Sequence, residues 1–262
     1  MLDLAALCSH HGRFDCFTHI STAYVAGTHS GRFGEGDLDL GQDFRNPYER
    51  SKFEAEALVR RRASSLPVQV LRPSIVVGDS RTGWTPAFNV LYWPLRAFAR
   101  GSYPAIPADP AAPVDVVPVD YVADAVLALA GRPGTTFHLT AGDRASTVGE
   151  LIDLACDHLG RPAPRVIPPA LYRRTVHPVL VRTGDEGRRR ALRRSEVFFP
   201  YFSVATAYDD IRAREALAPA GIEAPDLRSY FPKLIDFAAA ASWGRQPVER
   251  RHAARALAPV PA

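Results

Sequence analysis

The sequence predicts an α/β fold: a parallel sheet with helices on both faces, plus a smaller, mostly helical portion. Three observations predict it. "FDCFTHISTAYVAG" (Phe14 to Gly27) and "LPVQVLRPSIVVG" (Leu66 to Gly78) are apolar, β-branched runs that end in glycine, the pattern of strands covered on both sides. Between them, "NPYERSKFEAEALV" offers Asn46 as a helix cap, Pro47 at the first turn and Glu49 three residues after the cap. Strand, helix and parallel strand in this order make a right-handed crossover unit.

Taken in order, the first strand should lead into a polar loop that runs to Arg45. The capped helix should continue to about Arg62, and the second strand should follow without a break. Residues 79–113 are rich in Trp, Pro and other aromatics; they lack a clean period and read as an excursion from the sheet. "VDVVPVDYVADAVLALAG" reads as a short strand and then a helix from about Val119. "TTFHLTAG" (Thr135 to Gly142) reads as one more strand. "STVGELIDLACDHLG" reads as an amphipathic helix capped by Ser146, with Glu150 close by. Two further helical stretches follow an arginine-rich segment. The expected division is a sheet core at 1–78 and 113–142, a substrate-binding portion at 79–112 and 143–246, and a loose tail at 247–262.

Composition excludes several classes. The 262 residues are 47% hydrophobic, enough to bury a core, and no run approaches the ~20 apolar residues of a membrane helix. The amino terminus carries Asp3 inside a short apolar run and does not resemble a signal peptide. Cys8, Cys16 and Cys156 are odd in number and lack metal or redox spacing, as expected of idle thiols in the cytoplasm. A net charge of +4 permits phosphate-bearing ligands without implying nucleic acid. His10, His11, His19 and His29 do not alternate like metal ligands, and no metal is expected.

The chemistry centres on one pair. Lys52 and Lys233 are the only lysines among 32 basic residues, and Lys52 lies four residues after Tyr48. Chance gives roughly 0.07 such pairs at this composition. On a helix the two side chains share a face. The ammonium then favours ionisation of the phenol and makes Tyr48 a usable proton donor. Ser21 and Thr22 end the preceding strand, so a second hydroxyl can converge on the same carbonyl oxygen. A solvated lysine beside a packed tyrosine has the same spacing; it is the setting, strand, Ser-Thr, loop, capped helix and strand with Pro73, that favours chemistry.

With those residues in place, the chain resembles the extended short-chain dehydrogenase/reductases, and within them the fatty acyl-CoA reductase (male-sterility) and thioester reductase branch. The resemblance rests on "HISTAYVAG", "YERSKFEAE", "LRPSIVVGDSRTG" and "VDVVPVDYVADA", which together span about the first half of the chain. It implies a Rossmann-like sheet and the reduction of an acyl thioester, on coenzyme A or an acyl-carrier protein, to an aldehyde or alcohol. It further implies NADPH rather than NADH as cofactor. The catalytic residues it implies are Thr22, Tyr48 and Lys52. Ser21, Tyr48, Lys52, Pro73, Ser74, Ile75 and Val76 would border the cofactor, with Lys52 on the nicotinamide ribose. Ala23, Tyr24, Trp84 and Phe88 would face substrate.

The sequence departs from that branch in one respect. The strand and glycine-rich turn that hold the cofactor pyrophosphate at a helix amino terminus do not occur. "GRFGEG" (Gly31 to Gly36) follows a strand but opens no helix. The expectation is that Met1 falls inside the helix before the branch's fourth strand, so that this chain lacks the first half of the nucleotide-binding domain and holds NADPH weakly. The rivals are a sugar-nucleotide epimerase or dehydratase, a hydroxysteroid-type dehydrogenase, and a non-catalytic remnant that binds an acyl ligand or partner. A dehydratase would usually carry an Asp-Glu pair after the threonine, where this chain has Ala23 and Tyr24. The arginines from Arg182 to Arg194 are either a solvated face or a site for coenzyme A phosphates or an acidic carrier protein. The oligomeric state is not legible.

Overall fold

The computed structural model describes residues 1–12, 14–88, 90–101, 105–176, 178–179, 182, 186, 199–246 and 248–253. The expected loose tail and the Arg182–Arg194 cluster lie largely outside these residues. The described chain divides into two units. The first comprises Met1–Val76, Val117–Arg144 and Thr206–Pro225, and the second Val77–Val116, Ala145–Ala205 and Asp226–Ala262.

The first unit is built on a three-stranded parallel sheet of β1 (Phe17–Ile20), β3 (Val68–Pro73) and β8 (Thr136–Leu139), with β3 in the middle. Phe17 pairs with Val68 and Val70 with Thr136. All six residues of β3 are buried, which is why its run reads as continuously apolar. The crossover from β1 to β3 is α2 (Pro47–Arg61). Val59 of α2 and Ala5 of α1 (Leu2–His10) pack with Val68, Val70 and Leu66; burying a valine of this kind contributes ~1.5–3 kcal/mol. Gln69 is fully buried in β3 because its amide is used on both sides. It donates to the Leu129 carbonyl at 2.7 Å and accepts from the Thr18 hydroxyl at 3.1 Å. Leu129 ends α4 (Val119–Leu129).

Two features differ from the sequence expectation. The run from Leu66 to Gly78 is two strands: the β3–β8 ladder ends at Pro73, and the Ser74 N–H makes its last bond, to the Leu139 carbonyl at 3.2 Å. The chain resumes at β4 (Ile75–Val77), which pairs with β7 (Val116–Pro118). "GRFGEG" contains β2 (Gly31–Phe33), paired in parallel with the distant β11 (Thr206–Tyr208). Its Glu35 accepts from the N–H groups of Arg212 and Ala213, at 2.9 and 3.1 Å. These are among the orphan donors at the start of α7 (Ile211–Leu217). Glu35 is therefore that helix's amino-terminal acceptor.

The second unit contains α3 (Tyr92–Ala99), α5 (Val148–Leu159), the three-residue α6 (Pro169–Leu171) and α8 (Leu227–Ala240). Two ladders accompany them: β5 (Ala105–Pro107) with β10 (Arg165–Ile167) in parallel, and β6 (Pro113–Val114) with β9 (Ser146–Thr147) antiparallel. The cap of α5 is Thr147, not Ser146. Thr147 and Glu150 form a reciprocal capping box, while Ser146 pairs with Val114 in the ladder. α8 buries Leu227, Tyr230, Phe231, Leu234, Ile235, Phe237 and Ala238 and exposes Arg228, Ser229 and Asp236, an amphipathic helix with a broad apolar face. Lys233, the second lysine, donates to the Ser80 carbonyl at 3.1 Å. Gly83 has φ +68°, and a Cβ there would lie 2.1 Å from the Lys233 carbonyl, so only glycine admits that approach.

Candidate active site

The residues singled out for catalysis lie in the first unit, and the local folding that places them is short-range. Asn46 accepts from Glu49 N–H at 3.0 Å and Glu49 accepts from Arg45 N–H at 2.9 Å, which fixes the start of α2. The Arg45 guanidinium donates to the Gly27 carbonyl, and Thr28 N–H bonds the Asp43 carbonyl at 2.8 Å. The loop between residues 27 and 45 is thus closed at its base, tying the turn after β1 to the helix. Gly27 has φ +52°, and a Cβ there would strike the Asp43 carbonyl.

Ser21 and Thr22 follow β1 and are almost fully buried. Thr22 is extended (φ −154°, ψ 150°) and caps a 3₁₀ turn by accepting from Tyr24 N–H. Its hydroxyl donates to the Pro73 carbonyl at 3.3 Å, long for a hydroxyl bond and so easily redirected to a better acceptor. Lys52 reaches back to the end of β1 and donates to the Ile20 carbonyl at 3.0 Å. Tyr48, one turn earlier on α2, is 55% exposed. Ile20 and Val76 are 43% and 41% exposed although apolar. Ser74 Oγ is buried without a partner among the described residues. Ala23 is buried in a core cluster with Val25, Phe33 and Tyr208, and Tyr24, also buried, meets the Tyr208 ring edge-on. Trp84 and Phe88 belong to the second unit, where the Trp84 indole donates to the Val248 carbonyl at 2.9 Å and Phe88 stacks on Phe237.

The sequence reading missed the buried charges behind this arrangement. Glu56 stands one turn beyond Lys52 and is fully buried. Arg72, also fully buried, meets it with two contacts, Nη2 to Oε1 at 2.7 Å and Nε to Oε2 at 3.0 Å. The Ser21 hydroxyl donates to Glu56 Oε2 at 2.7 Å, and Arg60 adds a further bond at 2.9 Å. Burial alone would raise the Glu56 carboxyl, but Arg72, Ser21 and Arg60 outweigh it and hold it below the ordinary carboxylate range. One carboxylate therefore joins three pieces: the tyrosine–lysine helix, the residue before Thr22, and the residue before Pro73. Burial, with the Arg72 charge beside it, pushes His138 down to about 3. The neutral ring satisfies both neighbours, Nδ1–H donating to the Asp209 carbonyl at 2.7 Å and Nε2 accepting from Arg72 at 3.1 Å. The available signal was a glutamate at Lys52 plus four and an arginine inside an apolar strand.

For a nicotinamide cofactor the fit is divided. Lys52, the exposed Ile20 and Val76 and the unpartnered Ser74 hydroxyl lie at strand carboxyl ends, where open α/β sheets take ligands, and suit the nicotinamide-ribose end. Among the described residues no glycine-rich turn opens a helix to hold the pyrophosphate.

The parallel sheet and the tyrosine–lysine helix beside a strand-end threonine are the features by which the chain resembles the extended short-chain dehydrogenase/reductases. Residues 1–126 match the family described as male sterility protein. Fatty acyl-CoA reductase 2 of Homo sapiens is 32% identical over 114 residues, 40% of this chain and 22% of that protein. The non-canonical nonribosomal peptide synthetase FrzA of a Cladobotryum species is 33% identical over 106 residues, 38% of this chain and 10% of that protein. The fold is similar to the terminal R domain of the myxalamid PKS-NRPS pathway, with a TM-score of 0.72 and 24% identity over 90% of this chain and 61% of that one. The chain thus spans about a fifth and a tenth of the two curated relatives.

Proposed function

We propose that this chain is part of an NADPH-dependent reductase of acyl thioesters, with coenzyme A or a carrier protein as the thiol, working in the cytoplasm. The observation that carries the reading is the placement of Tyr48 and Lys52 on one capped helix, with Lys52 bonded to the end of the strand that leads into Ser21 and Thr22. A bound nicotinamide cofactor supplies hydride to the thioester carbonyl carbon. The residues of this chain manage the oxygen. Tyr48 donates its phenolic proton to it, and the Thr22 hydroxyl turns from the Pro73 carbonyl to give a second hydrogen bond. Lys52 holds the ribose and stabilises the phenolate left on Tyr48. Collapse then expels the thiol and leaves an aldehyde. The Ala23-Tyr24 that follows Thr22 is core packing and supplies no acid–base pair of the dehydratase kind. The assay follows nicotinamide absorbance with an acyl-CoA and with an acyl-pantetheine, at millimolar NADPH because no phosphate-binding turn lies in these residues. Thiol release matched to NADPH oxidation is expected; neither being detected sinks the reading and leaves the non-catalytic alternative.

Lys52→Arg separates a catalytic lysine from a solvated one. A guanidinium cannot reproduce a compact ammonium that serves the Ile20 carbonyl and a ribose together. Activity should fall at least tenfold, ~1.4 kcal/mol in barrier, with the melting temperature unmoved and the pH–rate profile displaced. Full rate with an unchanged profile would show that Lys52 only solvates the helix face.

A further inference from the structure

A cavity wholly within the second unit has a chemistry that the reductase reading does not use. Its volume is about 410 Å³, within the ~300–1,000 Å³ of small-molecule sites. One wall is α3, where Trp93 and Arg96, three residues apart, share a face. A second wall is the segment after α8, which brings Trp243 and Arg245. Phe88 forms the floor, stacked on Phe237 with ring centroids 6.1 Å apart and planes 3° from parallel. Aromatic faces and two guanidiniums thus meet in one concavity, and no carboxylate is among its lining residues.

The second wall is also conformationally unusual. Ser242 and Trp243 both have positive φ, 49° and 58°, and Gly244 follows at 85°. An aromatic residue in the left-handed region is a genuine outlier; such residues persist where the surroundings over-determine them, and they cluster at ligand clamps. A Cβ on Gly244 would lie 2.7 Å from the Phe88 ring, so the backbone is drawn hard against the floor. Trp93 is 41% exposed on the α3 wall, an unusual setting for so large an apolar ring unless something stacks on it.

We propose that this cavity binds a purine nucleotide, with the base stacked between the indoles of Trp93 and Trp243 and the phosphate held by Arg96 and Arg245. The aromatic faces accept a planar base, and guanidiniums are the side chains best matched to a phosphate. The same chemistry is presented by a free nucleotide and by the nucleotide end of coenzyme A.

The test titrates the protein with AMP, adenosine, inorganic phosphate and coenzyme A while following tryptophan emission. AMP should quench saturably, and adenosine and phosphate alone should bind at least tenfold more weakly. Arg245→Gln should weaken AMP at least tenfold and leave adenosine unchanged. Trp243→Gly removes the stacking face while suiting the left-handed backbone; it should keep the fold and abolish binding of both. Coenzyme A binding at least tenfold tighter than AMP would assign the cavity to a thioester's nucleotide end, equal binding to a free nucleotide, and either supports the proposal. No saturation by AMP or coenzyme A overturns it, as does binding unchanged in both variants. The readout is binding alone, so it stands or falls separately from thioester reduction.

Discussion

Tyr48→Phe is expected to lower thioester turnover by ~10²–10⁴, the usual loss when a general acid is removed, and to leave the melting temperature unchanged. The two halves of this expectation have different origins. The first follows from the proposed chemistry: there the phenol donates the proton, and phenylalanine keeps the ring but not the proton. The second follows from burial, because Tyr48 is more than half exposed and its ring stabilises little. The expected loss corresponds to ~3–5 kcal/mol of barrier. Steady-state rates and a thermal melt on the same preparation check both. A folded variant with undiminished turnover would remove Tyr48 from the mechanism.

The second large effect concerns stability. Arg72→Met should destabilise the protein by ~3–5 kcal/mol, because removing one partner strands the other as an uncompensated buried charge. Here the stranded group is Glu56, fully buried and left with only Ser21 and Arg60. The change also removes the donors to the Asp37 carbonyl and to His138. In the double variant Arg72→Met with Glu56→Leu no fully buried charge is left, since Arg60 is partly exposed and keeps its bonds to the Gly36 and Asp37 carbonyls, so it should recover a large part of the loss despite carrying two substitutions. Urea denaturation of the single and double variants measures the coupling. A single variant within ~1 kcal/mol of the parent would show that the pair is not the clamp described here.

The same pair shows where sequence reading stops. Asn46, Pro47 and Glu49 were legible because capping acts within four residues, and the structure has α2 at Pro47–Arg61. The α5 cap was read one residue early, since Ser146 and Thr147 are chemically equivalent until a ladder claims one of them. Ser74 was read as mid-strand because the break there is a change of partner, from β8 to β7, that no neighbouring residue announces. Glu56 and Arg72 were passed over because charged residues are rarely fully buried; their partnership exists only once α2 lies on β3. Tyr48 and Lys52 could be singled out because they lie four residues apart, and Thr22 because it ends the preceding strand; their catalytic role is the proposal made above. The pairing of β2 with β11 joins Gly31 to Thr206 and Phe33 to Tyr208 and leaves no local trace.

That last pairing bears on how the polypeptide is made. The first unit draws on three separated stretches, the last being Thr206–Pro225. During translation from the amino end, β1, α2 and β3 emerge early and can associate. The unit cannot close until residue 225 has left the ribosome. Until then β2 lacks β11, Glu35 has no helix to cap, and Phe33, wholly buried in the finished protein, lacks part of its cover. A nascent chain stalled between residues 144 and 206 would therefore be the species most exposed to proteolysis and self-association, even though every strand of its central sheet had already been synthesised.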